Sequence, residues 1–463
     1  MSQITTVNPA TEESISNYYA MDKNKVSQIV DNSKTAFPVW KKDLEKRRGV
    51  VYNLAEYLRK NKMELAKIAT KEMGKVLKES LSEVEKCAWV LEFYADNGSN
   101  FIAEEVLNTD ARKSFITFEP LGIIGSIMPW NFPYWQALRF VAPCLMAGNT
   151  IVMKPSRVTT QCGIELEKAC KETGFPDGVF QTVVGSVDTA NHLIDSDVNA
   201  VTFTGSTKAG ASVGKRASSL LKKCVLELGG SDPFIVLEDA DIEKAANGAV
   251  KGRFINCGQS CIASKRFFVS KKIADKFIES FVKQASRLKV GDPMTMENDM
   301  GPLVNKEALD NISSIVENAK NKGAEILLGG SKIDGKGHYY SPTILTNIKP
   351  DMRVATEETF GPVAPITVVD DENEAINLAN DIEFGLGASI WTEDLKKAEK
   401  LSRQIESGIV SVNNVVISDP RIPFGGIKQS GFGRELSRYG MLEFVNIKSV
   451  RFYDQLIHHH YVE

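Results

Sequence analysis

The chain has 463 residues, 43% hydrophobic and 25% charged, with a formal net charge of −3. That length predicts two or three domains with ample core, and a near-neutral balance without a dense basic block argues against a nucleic-acid surface. No apolar run reaches the roughly 18 residues needed to span a bilayer, and the N-terminus lacks a charged-then-apolar signal, so a soluble, cytoplasmic protein is expected. The seven cysteines (Cys87, Cys144, Cys162, Cys170, Cys224, Cys257 and Cys261) form no CxxC pair. They indicate neither a disulfide framework nor a metal site, and a reducing compartment fits them best.

Residues 23–109 read as helical, with apolar residues at three- and four-residue spacing among Lys and Glu over 41–73 and again over 75–95. From 115 the texture changes. Residues 115–120 read as a short strand and 122–128 as a buried strand ended by Pro129. Strands at 150–153, 180–184, 200–204 and 223–228 then alternate with helices at 160–173, from 187 and from 206. This alternation predicts an open, mostly parallel sheet. A second α/β region over 231–425 carries strands at 234–237, 266–269 and 408–412, with helices at 272–288 and 306–323. The glycine cluster in 423–431 reads as turns. Residues 444–456 alternate like an exposed strand, an edge that needs a partner, for which a second subunit is the natural candidate.

Cys261 lies in the polar run Asn256-Cys257-Gly258-Gln259-Ser260-Cys261, which reads as an active-site loop. Most cysteines are small core fillers, and a nucleophilic one needs a helper base or a positive field. Histidine offers little help: His192 and His338 have no catalytic signature nearby, and His458, His459 and His460 sit near the C-terminus as a tail or a metal-binding tract. Glu227, between Val225, Leu226 and Leu228, is the best-placed base by composition, since an apolar enclosure raises a carboxyl pKa. Read the other way, it is a surface glutamate on an edge strand. Asn131, in Pro129-Trp130-Asn131-Phe132-Pro133, is either an oxyanion donor or a turn-forming asparagine. Phe203-Thr204-Gly205-Ser206 leads from a strand into a helix, where N–H groups face a phosphate or merely form a cap. Lys154 and Arg157 follow another strand at the edge where ligands gather on open α/β sheets, or form a solvated basic turn.

Taken together, these segments with Leu226-Glu227-Leu228-Gly229-Gly230, Glu358-Thr359-Phe360-Gly361-Pro362 and Pro423-Phe424-Gly425-Gly426 resemble the aldehyde dehydrogenase superfamily over nearly the whole chain. Within it, the short N-terminus and the segment around Arg139 look most like compact bacterial and archaeal succinate-semialdehyde dehydrogenases. The resemblance implies an α/β fold with a Rossmann-like cofactor domain (1–105 and 125–229), an α/β catalytic domain (230–425) and a small β oligomerisation extension (106–124 and 436–463). It implies Cys261 as nucleophile, Asn131 with the Cys261 N–H as oxyanion donors, and Glu227 as the base that activates water against a thioester. Trp130, Lys154, Ser156, Arg157, Gly205, Ser206, Glu358 and Phe360 would contact the cofactor, and Phe132, Arg139 and Ser418 the substrate. Glu435 matches a carboxylate given either a proton-relay role or a structural ion pair.

Many NAD-using relatives carry glutamate where Arg157 stands. Arginine reverses that charge and suits a 2′-phosphate, so NADP is the preferred cofactor, with NAD the alternative. Arg139, four residues after Trp135 on one helix face, suits an aldehyde with a distal carboxylate, or else a structural ion pair. Some relatives carry another arginine six residues before the nucleophile, where this chain has Ile255. Succinate semialdehyde leads, with malonate or glutarate semialdehyde, a broad-range aldehyde or CoA-acylating chemistry as alternatives. A homodimer or homotetramer is expected. Cys257 reads as a small loop filler or a disulfide partner for Cys261.

Overall fold

The computed structural model describes residues 2–454. The expected histidine tract at 458–460 therefore lies outside the described residues. Two parallel sheets organise the chain. In the first, the strands run Lys223–Glu227, Ala200–Thr204, Ile123–Ile127, Thr150–Lys154 and Phe180–Thr182, all parallel. In chain order this is 5-4-1-2-3, so the connections reverse direction between Ile123–Ile127 and Ala200–Thr204. Open sheets bind ligands at such a reversal, beyond the carboxyl ends of the strands. Ile123–Ile127, Thr150–Lys154 and Ala200–Thr204 are buried at every position, as parallel strands covered on both faces must be.

The second sheet is ordered Glu325–Leu328, Thr343–Thr346, Val363–Val369, Ser264–Ser270, Asp232–Val236, Gly387–Trp391 and Ile409–Val412. Only the first strand is antiparallel to its neighbour. Its core is aromatic, with Phe234 against Phe267 at 5.0 Å and Trp391 at 5.3 Å between ring centroids. The chain passes between the sheets through 228–231, directly after Glu227. Cys261 precedes Ser264–Ser270, so the carboxyl edge of the first sheet meets the amino edge of the second.

Several sequence expectations change. The helical region over 23–109 divides into Lys23–Trp40, Leu44–Lys60, Lys62–Met73 and Leu77–Phe101, and Glu105–Leu107 is a strand. Gly74, at φ +85°, supplies the left-handed residue that ends the third helix. Gln3–Val7 and Ser14–Tyr19 form a hairpin that the polar N-terminus did not suggest. The glycine turns at 423–431 continue into Gly431–Phe432, which pairs antiparallel with Glu227 and Leu226 at the edge of the first sheet. The tail strand, Val445–Phe452, finds its partner within the chain: it pairs antiparallel with Lys113–Pro120, which also pairs with Glu105–Leu107. A second subunit is therefore not needed to pair it, although its other side remains a sheet edge.

Candidate active site

Two cavities meet at Cys261. One, about 280 Å³, lies at the reversal of the first sheet and is lined by Trp130, Asn131, Gly205, Ser206, Glu358, Phe360 and Cys261. The other, about 450 Å³, is lined by Phe132, Trp135, Arg139, Ser418, Phe424 and Cys261, and by the Leu77–Phe101 helix through Glu79, Glu83 and Lys86. Cys261 and Gln136 are on the wall common to both.

Dense hydrogen bonding holds the nucleophile loop. Arg253, fully buried, donates to the carbonyls of Gly258, Ser264, Thr359 and Gly361, tying the loop to the segment that carries Glu358 and Phe360. Lys265 Nζ donates to the Ser260 and Cys261 carbonyls at 2.8 and 2.6 Å. Gln259 donates to the Asn256 carbonyl and accepts from Val304 N–H. Asn256 and Cys257 adopt left-handed backbone angles, φ +50° and +55°, held by these bonds. Asn256, Cys257 and Gln259 belong to the run that reads as an active-site loop, whereas Arg253 and Lys265 have no part in the sequence reading. An arginine or lysine near a glycine-rich loop carries no sequence mark that separates it from a surface charge.

Cys261 is half-buried. Burial pushes its thiol up to about 11, with the charges of Arg139 and Lys265 pulling the other way. Its backbone N–H has no hydrogen-bond partner among the described residues. Asn131 Nδ2 donates one hydrogen to the Gln259 carbonyl at 3.1 Å, and its second remains for a ligand. Asn256 Nδ2 holds the Asn131 carbonyl at 2.8 Å. Cys257 is buried and, like Cys261, a free thiol.

Glu227 is 2% exposed, and neither carboxylate oxygen has a hydrogen-bond partner among the described residues. Burial and the neighbouring charge of Glu435 push it well above the usual carboxylate range, against the pull of Arg139 and Arg434. It lines neither cavity. It sits against Gly425, where a Cβ would come within 2.6 Å of its Oε1, so the glycine makes room for the carboxylate.

Arg139 lines the larger cavity and also makes the ion pair that is its second reading from the sequence. It is 1% exposed, its Nε pairs with the buried Glu435, and its guanidinium lies 4.5 Å from the centroid of the Phe424 ring. It lines the larger cavity as half of an ion pair. Ser418 lines the same cavity and accepts a hydrogen bond from Lys86 Nζ at 2.8 Å. Lys86 was read only as part of a helical pattern. Its spacing from Glu79 and Glu83 puts all three on one helix face, which was legible, but that this face borders a cavity was not.

On the other side, Glu358 accepts from Gly230 N–H at 3.0 Å and lies 3.6 Å from Lys265. A Cβ at Gly229 would collide with the Glu358 carboxylate. Phe360 and Trp130 meet edge-on at 5.8 Å. Ser206 caps the Thr207–Ser219 helix through Ala209 N–H. Lys154, Ser156 and Arg157 line neither cavity; they follow the strand beside Ile123–Ile127, on the same carboxyl edge of the sheet. Lys154 is buried, and its ammonium has no partner among the described residues. Burial and the charge of Arg157 pull it down to about 8. Ser156 Oγ accepts from Val158 N–H, and Arg157 is exposed without an ion pair among the described residues. A mostly buried lysine beside an exposed guanidinium, on the carboxyl edge one strand from the reversal of a parallel sheet, fits the ribose end of a dinucleotide.

Comparison with known proteins agrees in scale with this geometry. The chain is 46% identical over 449 residues to a probable NADP(+) succinate-semialdehyde dehydrogenase of Synechocystis sp., covering 96% of this chain and 99% of that protein. It is 42% identical over 446 residues to a succinate semialdehyde dehydrogenase of Escherichia coli named for NAD(P)+, covering 96% of each. Among solved structures, the succinic semialdehyde dehydrogenase of Streptococcus pyogenes in complex with NADP+ superposes with a TM-score of 0.95 at 35% identity, covering 97% of this chain and all of that one. The model of the aldehyde dehydrogenase family matches residues 1–450, nearly every residue that builds the two sheets and the cavities between them. The chain belongs to the aldehyde dehydrogenase family.

Proposed function

We propose that the protein oxidises succinate semialdehyde to succinate with NADP as the preferred cofactor. The observation that carries this reading is that Cys261 opens on two cavities at once, so one thiol meets a small molecule on one side and a dinucleotide on the other. The larger cavity combines aromatic walls (Phe132, Trp135 and Phe424) with cationic side chains, which suits a short aldehyde carrying a carboxylate at its far end. The relatives named above support the substrate and the cofactor.

In this reading the Cys261 thiol gives its proton to solvent, its sulfur adds to the aldehyde carbon, and Asn131 Nδ2 with the Cys261 N–H holds the oxyanion. NADP, when bound, supplies the hydride acceptor that turns this adduct into a thioester. Glu227 then takes a proton from the water that hydrolyses the thioester, which requires its carboxylate to turn from Gly425 toward the sulfur. Glu358, Phe360, Trp130, Gly205 and Ser206 border the nicotinamide end, while Lys154, Ser156 and Arg157 take the adenosine ribose and its 2′-phosphate. Residues 1–105 with 125–229 act as the cofactor domain and 230–425 as the catalytic domain. The sheet of Glu105–Leu107, Lys113–Pro120 and Val445–Phe452 exposes Val106, Leu107, Ile447 and Phe452, an apolar edge suited to a second copy of the chain in a homodimer or homotetramer.

The test is a steady-state panel of three-, four- and five-carbon semialdehydes and neutral aldehydes of equal length, each with NADP and NAD, without CoA. The highest kcat/KM is expected for succinate semialdehyde with NADP. Equal values for butanal and succinate semialdehyde would reject the distal-carboxylate reading.

A further inference from the structure

The larger cavity contains a cation whose neighbouring acids are all engaged elsewhere. Lys86 lies on the Leu77–Phe101 helix, with its ammonium 4.2 Å from the centroid of the Trp135 ring and a hydrogen bond to the Ser418 hydroxyl. Of the carboxylates around it, Glu83 pairs with the buried Lys75 and Glu85 with Arg59 and Lys62. Asp419 pairs with Arg421, and Glu79 receives the Asn256 N–H. Across the same cavity Arg139 is held by Glu435. Ile255, on a further wall, is apolar.

An ammonium half-buried against an indole face, with a neutral hydroxyl as its only hydrogen-bond partner among the described residues, has donor capacity left over. An anion arriving there gains charge-assisted hydrogen bonds, which are about twice as strong as neutral ones. The hydroxyl that now accepts from Lys86 can turn and donate to the same anion. Lys86 is also pulled down to about 8, by burial first and by the charge of Arg139 second. A carboxylate placed between the two would offset the repulsion from Arg139 and favour the charged ammonium.

We propose that Lys86, with the Ser418 hydroxyl beside it, binds the distal carboxylate of the substrate and sets the preference for semialdehydes over neutral aldehydes. This rests on the semialdehyde reading above and adds a residue that the reading did not use. Arg139, paired with Glu435 through Nε, has a buried Nη2 without a hydrogen-bond partner among the described residues and contributes a second cationic wall of the same cavity. Lys78, another lysine lining the cavity, is paired with Asp299 at 2.6 Å and lacks this freedom.

The experiment measures the ratio of kcat/KM for succinate semialdehyde to kcat/KM for butanal, in wild type, Lys86→Met, Lys86→Arg and Ser418→Ala. Methionine keeps the stem's packing on Trp135 and removes the charge. We expect Lys86→Met to lower the ratio about 10- to 100-fold, the span of one charged hydrogen bond. Lys86→Arg should retain most of the ratio, and Ser418→Ala should lower it several-fold. A wild type without preference would reject the semialdehyde reading and this inference together. A wild type with preference that Lys86→Met leaves within twofold would overturn this inference alone. So would an equal fall for both aldehydes, which marks a packing role. If Lys86→Met does not melt cooperatively, Ser418→Ala decides, and an unchanged ratio in that variant overturns the proposal.

Discussion

Replacing Glu227 by glutamine separates two consequences of one buried carboxyl. Its oxygens have no hydrogen-bond partner among the described residues, and the nearby charge of Glu435 opposes its ionisation. Glutamine keeps the shape and removes the charge. If Glu227 is the base for thioester hydrolysis, steady-state kcat should fall about 10²- to 10⁴-fold, the usual contribution of a positioned general base. Acylation does not use this group in the proposed sequence, so a rapid burst of about one reduced cofactor per active site should remain, followed by near silence.

Stability should move the other way. An unsatisfied buried polar group is worth about 1–3 kcal/mol, and an ionised one more. The amide of glutamine recovers part of that, so a gain of about 1–2 kcal/mol is expected. A ΔΔG of 1 kcal/mol shifts Tm by about 2–4 °C in domains of 150–250 residues and by less in a longer chain. The sign with pH follows from linkage. A carboxyl whose folded pKa exceeds its unfolded value binds more protons when folded, so the stability it contributes falls as pH rises from the unfolded pKa, roughly 4.3, toward the folded one. The Tm advantage of Glu227→Gln should therefore be small near pH 4.5 and grow toward neutrality. Stopped-flow absorbance of the reduced cofactor and thermal melts across pH give both readouts. Undiminished turnover would refute the base assignment, and a melting temperature that drops at neutral pH would refute the account of Glu227 as an uncompensated buried acid.

Arg157→Glu should reverse cofactor preference: kcat/KM for NADP is expected to fall at least 30-fold, by loss of a charge-assisted bond and gain of repulsion, while that for NAD holds or rises. An unchanged NADP to NAD ratio would remove Arg157 from the 2′-phosphate site. Asn131→Ala should lower kcat about 10²- to 10³-fold with little change in the KM for NADP, as loss of one oxyanion donor does. A loss confined to KM would assign it to ground-state binding instead. Because burial pushes the Cys261 thiol up to about 11, its alkylation rate in the cofactor-free enzyme should climb steadily from pH 7 to 9.5. A plateau below pH 8 would show that the surrounding cations outweigh burial.

How much of the site was legible depended on how each residue acts. Cys261, Glu227 and Asn131 stand in runs whose glycines and prolines are required locally. Gly425 leaves space for Glu227, and Gly229 for Glu358. Such restrictions leave a mark in the chain, and the strand and helix periods that place these runs are local as well. The tail strand shows the limit. Its alternation was readable, but its partner is Lys113–Pro120, more than three hundred residues away, and no local pattern names a partner.

The amino-acid sequence alone determined the alternating α/β elements, the buried parallel strands and the loops that meet at Cys261, because periodicity, proline and glycine act over a few residues. Tertiary structure decided which charges are free. Arg139 reads either as a substrate anchor or as part of an ion pair, and only the arrival of Glu435 from nearly three hundred residues away names its partner. Lys86 reads as one lysine among many, and only the closing of the Leu77–Phe101 helix over Trp135 and Ser418 leaves it facing the cavity while its acidic neighbours are engaged elsewhere. Charge is carried by a residue, but its compensation belongs to whatever the fold brings within a few ångströms.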